Sequence, residues 1–265
     1  MKIDFSKPYE VVDLAHAMTE EMPSFPSAPP FTMVPKYRLG DFELANGYWG
    51  SNEFITMSGH SGTHLDAFGH VAQDRKVFGG GLALEAQDGA RGLIHNAIDQ
   101  VAPIVRRGVL LDVAAFFGLE SLEPGVAITP DQITDTAEWA GVDFEPGDCV
   151  LIRTGWDRYW GSAQRYLGYE GGVPGIDLDA ATLLADKGAF LLGADTGGVE
   201  VSYAVESELP VHMEALVQRG VHLLENMALA DLASRGRSDF VFVCSPLKIR
   251  GASGSPVRPA AVFQK

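Results

Sequence analysis

Short apolar runs bounded by glycine, proline or aspartate recur along the chain, and in the second half they alternate with stretches of helical character. Arg107-Gly108-Val109-Leu110-Leu111-Asp112-Val113 lacks polar residues at alternate central positions, as expected of a strand buried on both faces. Cys149–Arg153, Ala189–Gly193, Val221–Leu224, Phe240–Cys244 and Ala260–Phe263 read as further strands, with Tyr9–Leu14 and Phe54–Met57 before them. Thr129-Pro130-Asp131-Gln132 predicts a helix start with Thr129 as N-cap, Pro130 in the first turn and Gln132 closing a capping box, and Gly141 suits its end. Asp179–Lys187 reads as a helix stopped by Gly188, and His212–Arg219 as one stopped by Gly220. Five prolines over residues 21–35 predict an ordered loop without regular structure, lying across another part of the molecule. The alternation predicts an α/β layer fold, and 265 residues without repeat or linker predict one domain spanning 1–265.

Composition narrows the function. Hydrophobic residues make up 46%, enough for a full core. The net charge of −15, with no basic run, argues against nucleic acid or an anionic membrane as partner and reads mainly as solubility; the expected partner is a small-molecule substrate. Cys149 and Cys244 each sit in an apolar run, which predicts buried packing rather than a disulfide or a nucleophile. Met1–Ser6 lacks the apolar core of a signal peptide, and no window is apolar for the length of a membrane span, so a soluble cytoplasmic protein is expected.

The candidate chemistry is concentrated in one window. Ser58–His70 places His60, His64, Asp66 and His70 at the spacing His-x3-His-x-Asp-x3-His, which takes three of the chain's seven histidines. Neutral imidazole nitrogen and carboxylate oxygen are the donors preferred by zinc, manganese and iron. Gly59, Gly62 and Gly69 argue for a strand end or tight loop that turns these side chains inward. His212 and Glu225 are further ligand candidates: a helix followed by a return strand brings the helix start and the strand end to one edge. Other chemistries lack their motifs. Phe78-Gly79-Gly80-Gly81-Leu82 is not a nucleotide loop, Gly251-Ala252-Ser253-Gly254-Ser255 is not GxSxG, and neither HExxH nor CxxC occurs. Asp112 and Asp195 sit at strand ends, where carboxylates usually cap loops.

The chain resembles the metal-dependent cyclase-like hydrolases, which include bacterial kynurenine formamidase and isatin hydrolase. The resemblance is carried by Val12–His16, Pro23–Pro26, His60-Ser61-Gly62-Thr63-His64-Leu65-Asp66 with His70, Gly147–Trp156, Gly193–Thr196, His212, Glu225-Asn226 and Gly254–Arg258. It implies a swivelling β/β/α single-domain fold and a homodimer or homotetramer. It implies that His60, His64 and Asp66 bind Mn2+ or Zn2+, that His212 and Glu225 complete a second metal site where two metals are used, and that His70 transfers protons. Hydrolysis of an amide or lactam C–N bond in an aromatic substrate is expected, with aryl formamides and lactones as alternatives and a non-catalytic metal- or ligand-binding protein as a different class. Some formamidases carry proline two residues after the aspartate, where this chain has Phe68. Trp49, Phe54 and Phe68 are the candidate walls of an aromatic pocket.

Overall fold

The computed structural model describes Asp4, residues 6–204 and residues 208–264; most of the N-terminal stretch read above for a leader lies outside them. The strands are β1 (Tyr9–Asp13), β2 (Thr32–Tyr37), β3 (Asn52–Thr56), β4 (His64–Asp66), β5 (Ile104–Asp112), β6 (Ala127–Ile128), β7 (Cys149–Arg153), β8 (Gly175–Ile176), β9 (Leu191–Ala194), β10 (His222–Glu225), β11 (Asp239–Cys244), β12 (Gly254–Pro256) and β13 (Ala260–Gln264). Nine of them form one sheet in the order β1-β13-β11-β5-β7-β9-β10-β4-β12. Its centre, β5-β7-β9-β10, is parallel, and both flanks are antiparallel.

The parallel strands are buried on both faces, and the two-residue period of their side chains divides one sheet between two cores. Val109, Leu111, Val150, Ile152, Leu192 and Leu223 enter one core. The helices Pro130–Ala140 and Leu178–Asp186 cover it through Ile133, Ala137, Ala180 and Leu184. Leu110, Leu151, Leu191 and Leu224 enter the other, where they meet Val12, Phe240, Phe242 and Phe263 from one flank and Leu65 from the other. Residues from both ends of the sheet share this core, so the sheet curls back on itself. The result is two β layers and one helical layer, the β/β/α arrangement expected above.

The predicted capping box at Thr129 and Gln132 is present, and Gly141 ends that helix in the left-handed conformation at φ 67°. Asp112 accepts from the Ala115 amide and from Arg153, and Asp195 accepts from the Thr154 and Gly155 amides, so both strand-end carboxylates cap local structure. Cys149 and Cys244 are free and buried. No helix among the described residues is long and apolar enough to cross a membrane.

Two expectations need correction. The proline-rich segment contains regular structure: β2 includes Pro35 and pairs with β3 alone, so the missing amide lies in an edge strand that can tolerate it, beside a register shift at Pro35/Tyr37. The helix expected from His212 begins at Pro210 and, after one turn to His212, continues over Met213–Arg219 as a wider π-helix.

Candidate metal centre

Strand β4 builds the site through its pleat. His64 and Asp66 stand two residues apart and share one face, while Leu65 points into the core behind them. On one side β10 places Glu225 directly opposite His64, and on the other β12 places Gly254 opposite Asp66. His64 Nε2 lies 3.2 Å from Glu225 Oε2. The helical segment Pro210–Arg219 runs back along the following strand, which brings His212 Nε2 to 3.0 Å from Glu225 Oε1 and 3.6 Å from Asp66 Oδ2. His60, in the loop before β4, places Nδ1 2.8 Å from Asp66 Oδ1. The His70 ring lies 4.0 Å from that of His60, centroid to centroid. The structure therefore brings all six predicted polar site residues together.

The backbone makes this convergence possible at two glycines. Gly62 turns the chain at φ 60°, a conformation few side chains tolerate. Gly254 lies against the His60 ring, where a Cβ would come within 2.5 Å of Cε1.

Each imidazole is held by its other nitrogen, which decides what it offers the centre. His64 Nδ1 donates to the Gly62 carbonyl at 2.9 Å, leaving Nε2 for the site. The Asn226 amide donates to the same carbonyl and accepts from the Tyr166 hydroxyl, both at 2.9 Å. His212 Nδ1 pairs with Glu200 Oε1, and Glu200 Oε2 accepts the Val211 amide at 2.7 Å. His60 Nε2 bonds the Ser253 hydroxyl at 2.9 Å, so this serine positions an imidazole. The sequence reading missed Glu200, Asn226 and Ser253 as site residues. The Glu225-Asn226 pair was the available signal for Asn226; Glu200 and Ser253 acquire their roles only through contacts with residues distant in sequence or in another element.

The donor set fits a divalent cation. Asp66 Oδ1 and Oδ2 and Glu225 Oε1 are buried and form no well-aligned hydrogen bond, although imidazole nitrogens lie close by. Carboxylate oxygens facing imidazole lone pairs repel unless a proton or a metal lies between them. Ligand atoms of His60, His64 and Asp66 lie within 4.8 Å of one another, and so do those of Asp66, His70 and His212.

The electrostatics follow from the pairing. Burial alone would lower the His64 pKa, but Glu225 and Asp66 raise it to about 9. Burial likewise opposes the charged form of His212, yet Glu200 and Glu225 hold its pKa well above the ordinary value. Burial favours neutral Glu225, and His212 and His64 reverse this to a lowered pKa. His70 has too little compensation: burial, opposed by Asp66, pushes its pKa down to about 4.

Two outcomes follow. A His64 pKa raised from 6.5 to about 9 stabilises metal-free protein fully below pH 6.5, and this contribution is lost as pH rises through 9. Metal must displace that proton, so apparent metal affinity is expected to rise about tenfold per pH unit for each proton released, with the His64 contribution levelling above pH 9. Titration of chelator-treated protein at several pH values checks this; pH-independent affinity would contradict it. In the second, Glu200→Gln is expected to weaken metal binding about 10–100-fold, because a neutral amide no longer raises the basicity of His212. Competition with a chromogenic chelator measures the loss, and unchanged affinity would leave Glu200 with a packing role alone.

The three aromatic candidates do not line the cavity of their own chain. Trp49 and Phe54 are 52% and 66% exposed, at and near the β2–β3 hairpin, because β3 packs on no other layer. Phe68 stacks on His222 at 4.1 Å and packs against Phe78, as a core residue does. The cavity beside the histidines, about 500 Å³, is instead lined by Phe25, Ala28, Pro29, Leu167, Val173 and Leu209 together with the polar cluster. The proline-rich segment therefore does lie across something: it forms a wall of this cavity.

Comparison with known proteins agrees with this architecture. The family model described as putative cyclase matches residues 12–201. The kynurenine formamidase of Bacillus cytotoxicus is 25% identical over 252 residues, spanning 95% of this chain and 97% of the relative. The crystal structure of a novel cyclase superposes with a TM-score of 0.86 at 26% identity, over 95% of this chain and 88% of the other. Isatin hydrolase A from Ralstonia solanacearum shares the fold, with a TM-score of 0.75 at 23% identity over 97% of this chain and 92% of the other. With the family match covering most of its length, and the HxGTHxD segment forming the centre of its site, the chain belongs to the cyclase family.

Proposed function

We propose that this protein is a metal-dependent hydrolase that cleaves the C–N bond of a small aromatic amide or lactam. The observation that carries the reading is the set of buried Asp66 and Glu225 oxygens facing imidazole nitrogens without hydrogen bonds, beside a cavity of about 500 Å³. His60, His64 and Asp66 would hold one divalent ion, manganese or zinc, and His212 and Glu225 would complete a second site sharing Asp66. When bound, such an ion polarises a carbonyl and lowers the pKa of water from 15.7 to about 7 in favourable sites. His70, neutral near pH 7 because burial lowers its pKa to about 4, has a lone pair to accept the proton of the attacking water. Once protonated it passes the proton to the departing nitrogen. The C–N bond breaks as water oxygen forms the new C–O bond, giving a carboxylic acid and an amine. Glu200, Gly62 and Ser253 keep the surrounding imidazoles oriented while this happens.

The names of the relatives, kynurenine formamidase and isatin hydrolase, support a linear or a cyclic amide. Hydrolysis of aryl formamides, isatin and simple aryl lactones, each with and without chelator, tests the reading. Chelator-sensitive cleavage of an amide is expected. Cleavage of lactones alone would move the assignment to esters, and metal binding without turnover of any of the three would make the protein a binding module. A homo-oligomer belongs to the same proposal: Met33, Val34, Phe54 and Ile55 are exposed on a hairpin that a second copy would cover. Light scattering coupled to size exclusion is expected to give at least a dimer mass; a monomer would remove this part.

A further inference from the structure

We propose that the cavity selects uncharged substrates and excludes those carrying a carboxylate away from the scissile bond; this rests on the hydrolase reading and narrows its substrate class. The cavity has no lysine or arginine among its described lining residues. Phe25, Ala28, Pro29, Leu167, Val173 and Leu209 supply apolar surface, and Ser27 and Ser58 supply hydroxyls, which can bond a carbonyl or an amide but bring no countercharge. The acidic side chains that line the cavity, Glu200 and Glu225, are already turned towards imidazoles.

Apart from the histidines and the ion they would hold, a source of positive potential is the start of the helical segment at Pro210, which borders the cavity at Leu209. Free amides at a helix start attract anions. Here the Val211 amide already donates to Glu200 Oε2 at 2.7 Å, so the carboxylate of the protein itself occupies that position. A divalent ion at the centre would be balanced by the Asp66, Glu225 and Glu200 carboxylates, so a substrate carboxylate across the ring from it would lose water and gain no lysine or arginine partner, which costs on the order of 10²–10³-fold when a charge is left unpaired in a buried site. A carboxamide of the same shape pays no such cost.

Matched probes test it: 4-formamidobenzamide against 4-formamidobenzoate, and isatin-5-carboxamide against isatin-5-carboxylate, with metal-loaded protein. In each pair the charge sits across the ring from the scissile bond. The neutral member is expected to show kcat/KM about 100-fold higher, with dissociation constants separated in the same direction by calorimetry. Leu209→Arg, at a position 38% exposed on the rim, is expected to narrow the ratio at least tenfold by supplying the missing cation. Thermal melting of Leu209→Arg shows whether it is folded; if it is not, Ala28→Lys, at another lining position, takes its place. Equal or better handling of the carboxylates would overturn the proposal, and so would failure of every probe to bind. Tighter binding of the neutral members without turnover would sustain the selectivity and count against hydrolysis, so the two readings fail separately.

Discussion

His64→Ala is expected to lose both the metal and all measurable turnover, and a chelator is expected to do the same to the unaltered protein. His64 is buried on β4, its Nε2 faces Glu225, and its Nδ1 is tied to Gly62. Alanine would remove a donor that no neighbour can replace, because His60 and His212 are each fixed by their own partners, Ser253 and Glu200. Without the ion, water near pH 7 is a weak nucleophile and the amide carbonyl a weak electrophile, and proton transfer alone recovers only about 10²–10⁴-fold. Elemental analysis alongside activity provides the check, with manganese or zinc added back to chelated protein. Full turnover in protein shown to contain no metal would refute the reading.

His70→Ala separates chemistry from metal binding. Proton transfer through His70 is expected to contribute about 10²–10⁴-fold to kcat, with little change in substrate affinity because the lost interaction belongs to the transition state. Metal content should remain near that of the unaltered protein, since His60, His64 and Asp66 already supply three donors. A rival assignment has a structural basis: Asp66, His70 and His212 also bring ligand atoms within 4.8 Å of one another. If His70 is a ligand, the purified variant will be depleted in metal. If it stays replete and turns over normally, His70 has no catalytic role.

The parts of this molecule whose physics is local were legible along the chain. Apolar runs such as Cys149–Arg153 marked the buried strands, because a strand covered on both faces has no place for polar residues. Thr129, Pro130 and Gln132 marked a helix start because capping acts within one turn. The spacing of His64 and Asp66 put two donors on one face wherever a strand formed, since the period of a strand is two. The helix-then-strand order offered His212 and Glu225 as further donors, and the resemblance then assigned them to a second metal site.

Only the tertiary structure decided what depends on which elements become neighbours. Glu225 faces His64 through the antiparallel register of β10 with β4, two strands far apart in sequence. Glu200 and Ser253 became partners of His212 and His60 by the same kind of meeting, with no local pattern to announce it. The aromatic candidates stay off the cavity of their own chain for the complementary reason. Trp49 and Phe54 precede the histidine window in sequence, but β3 pairs with β2 alone and joins no layer over the cavity. Phe68 leaves β4 on the side where Phe78 and His222 pack. The cavity wall came instead from Phe25, Ala28 and Pro29, because prolines stiffen a segment but only packing fixes what it covers.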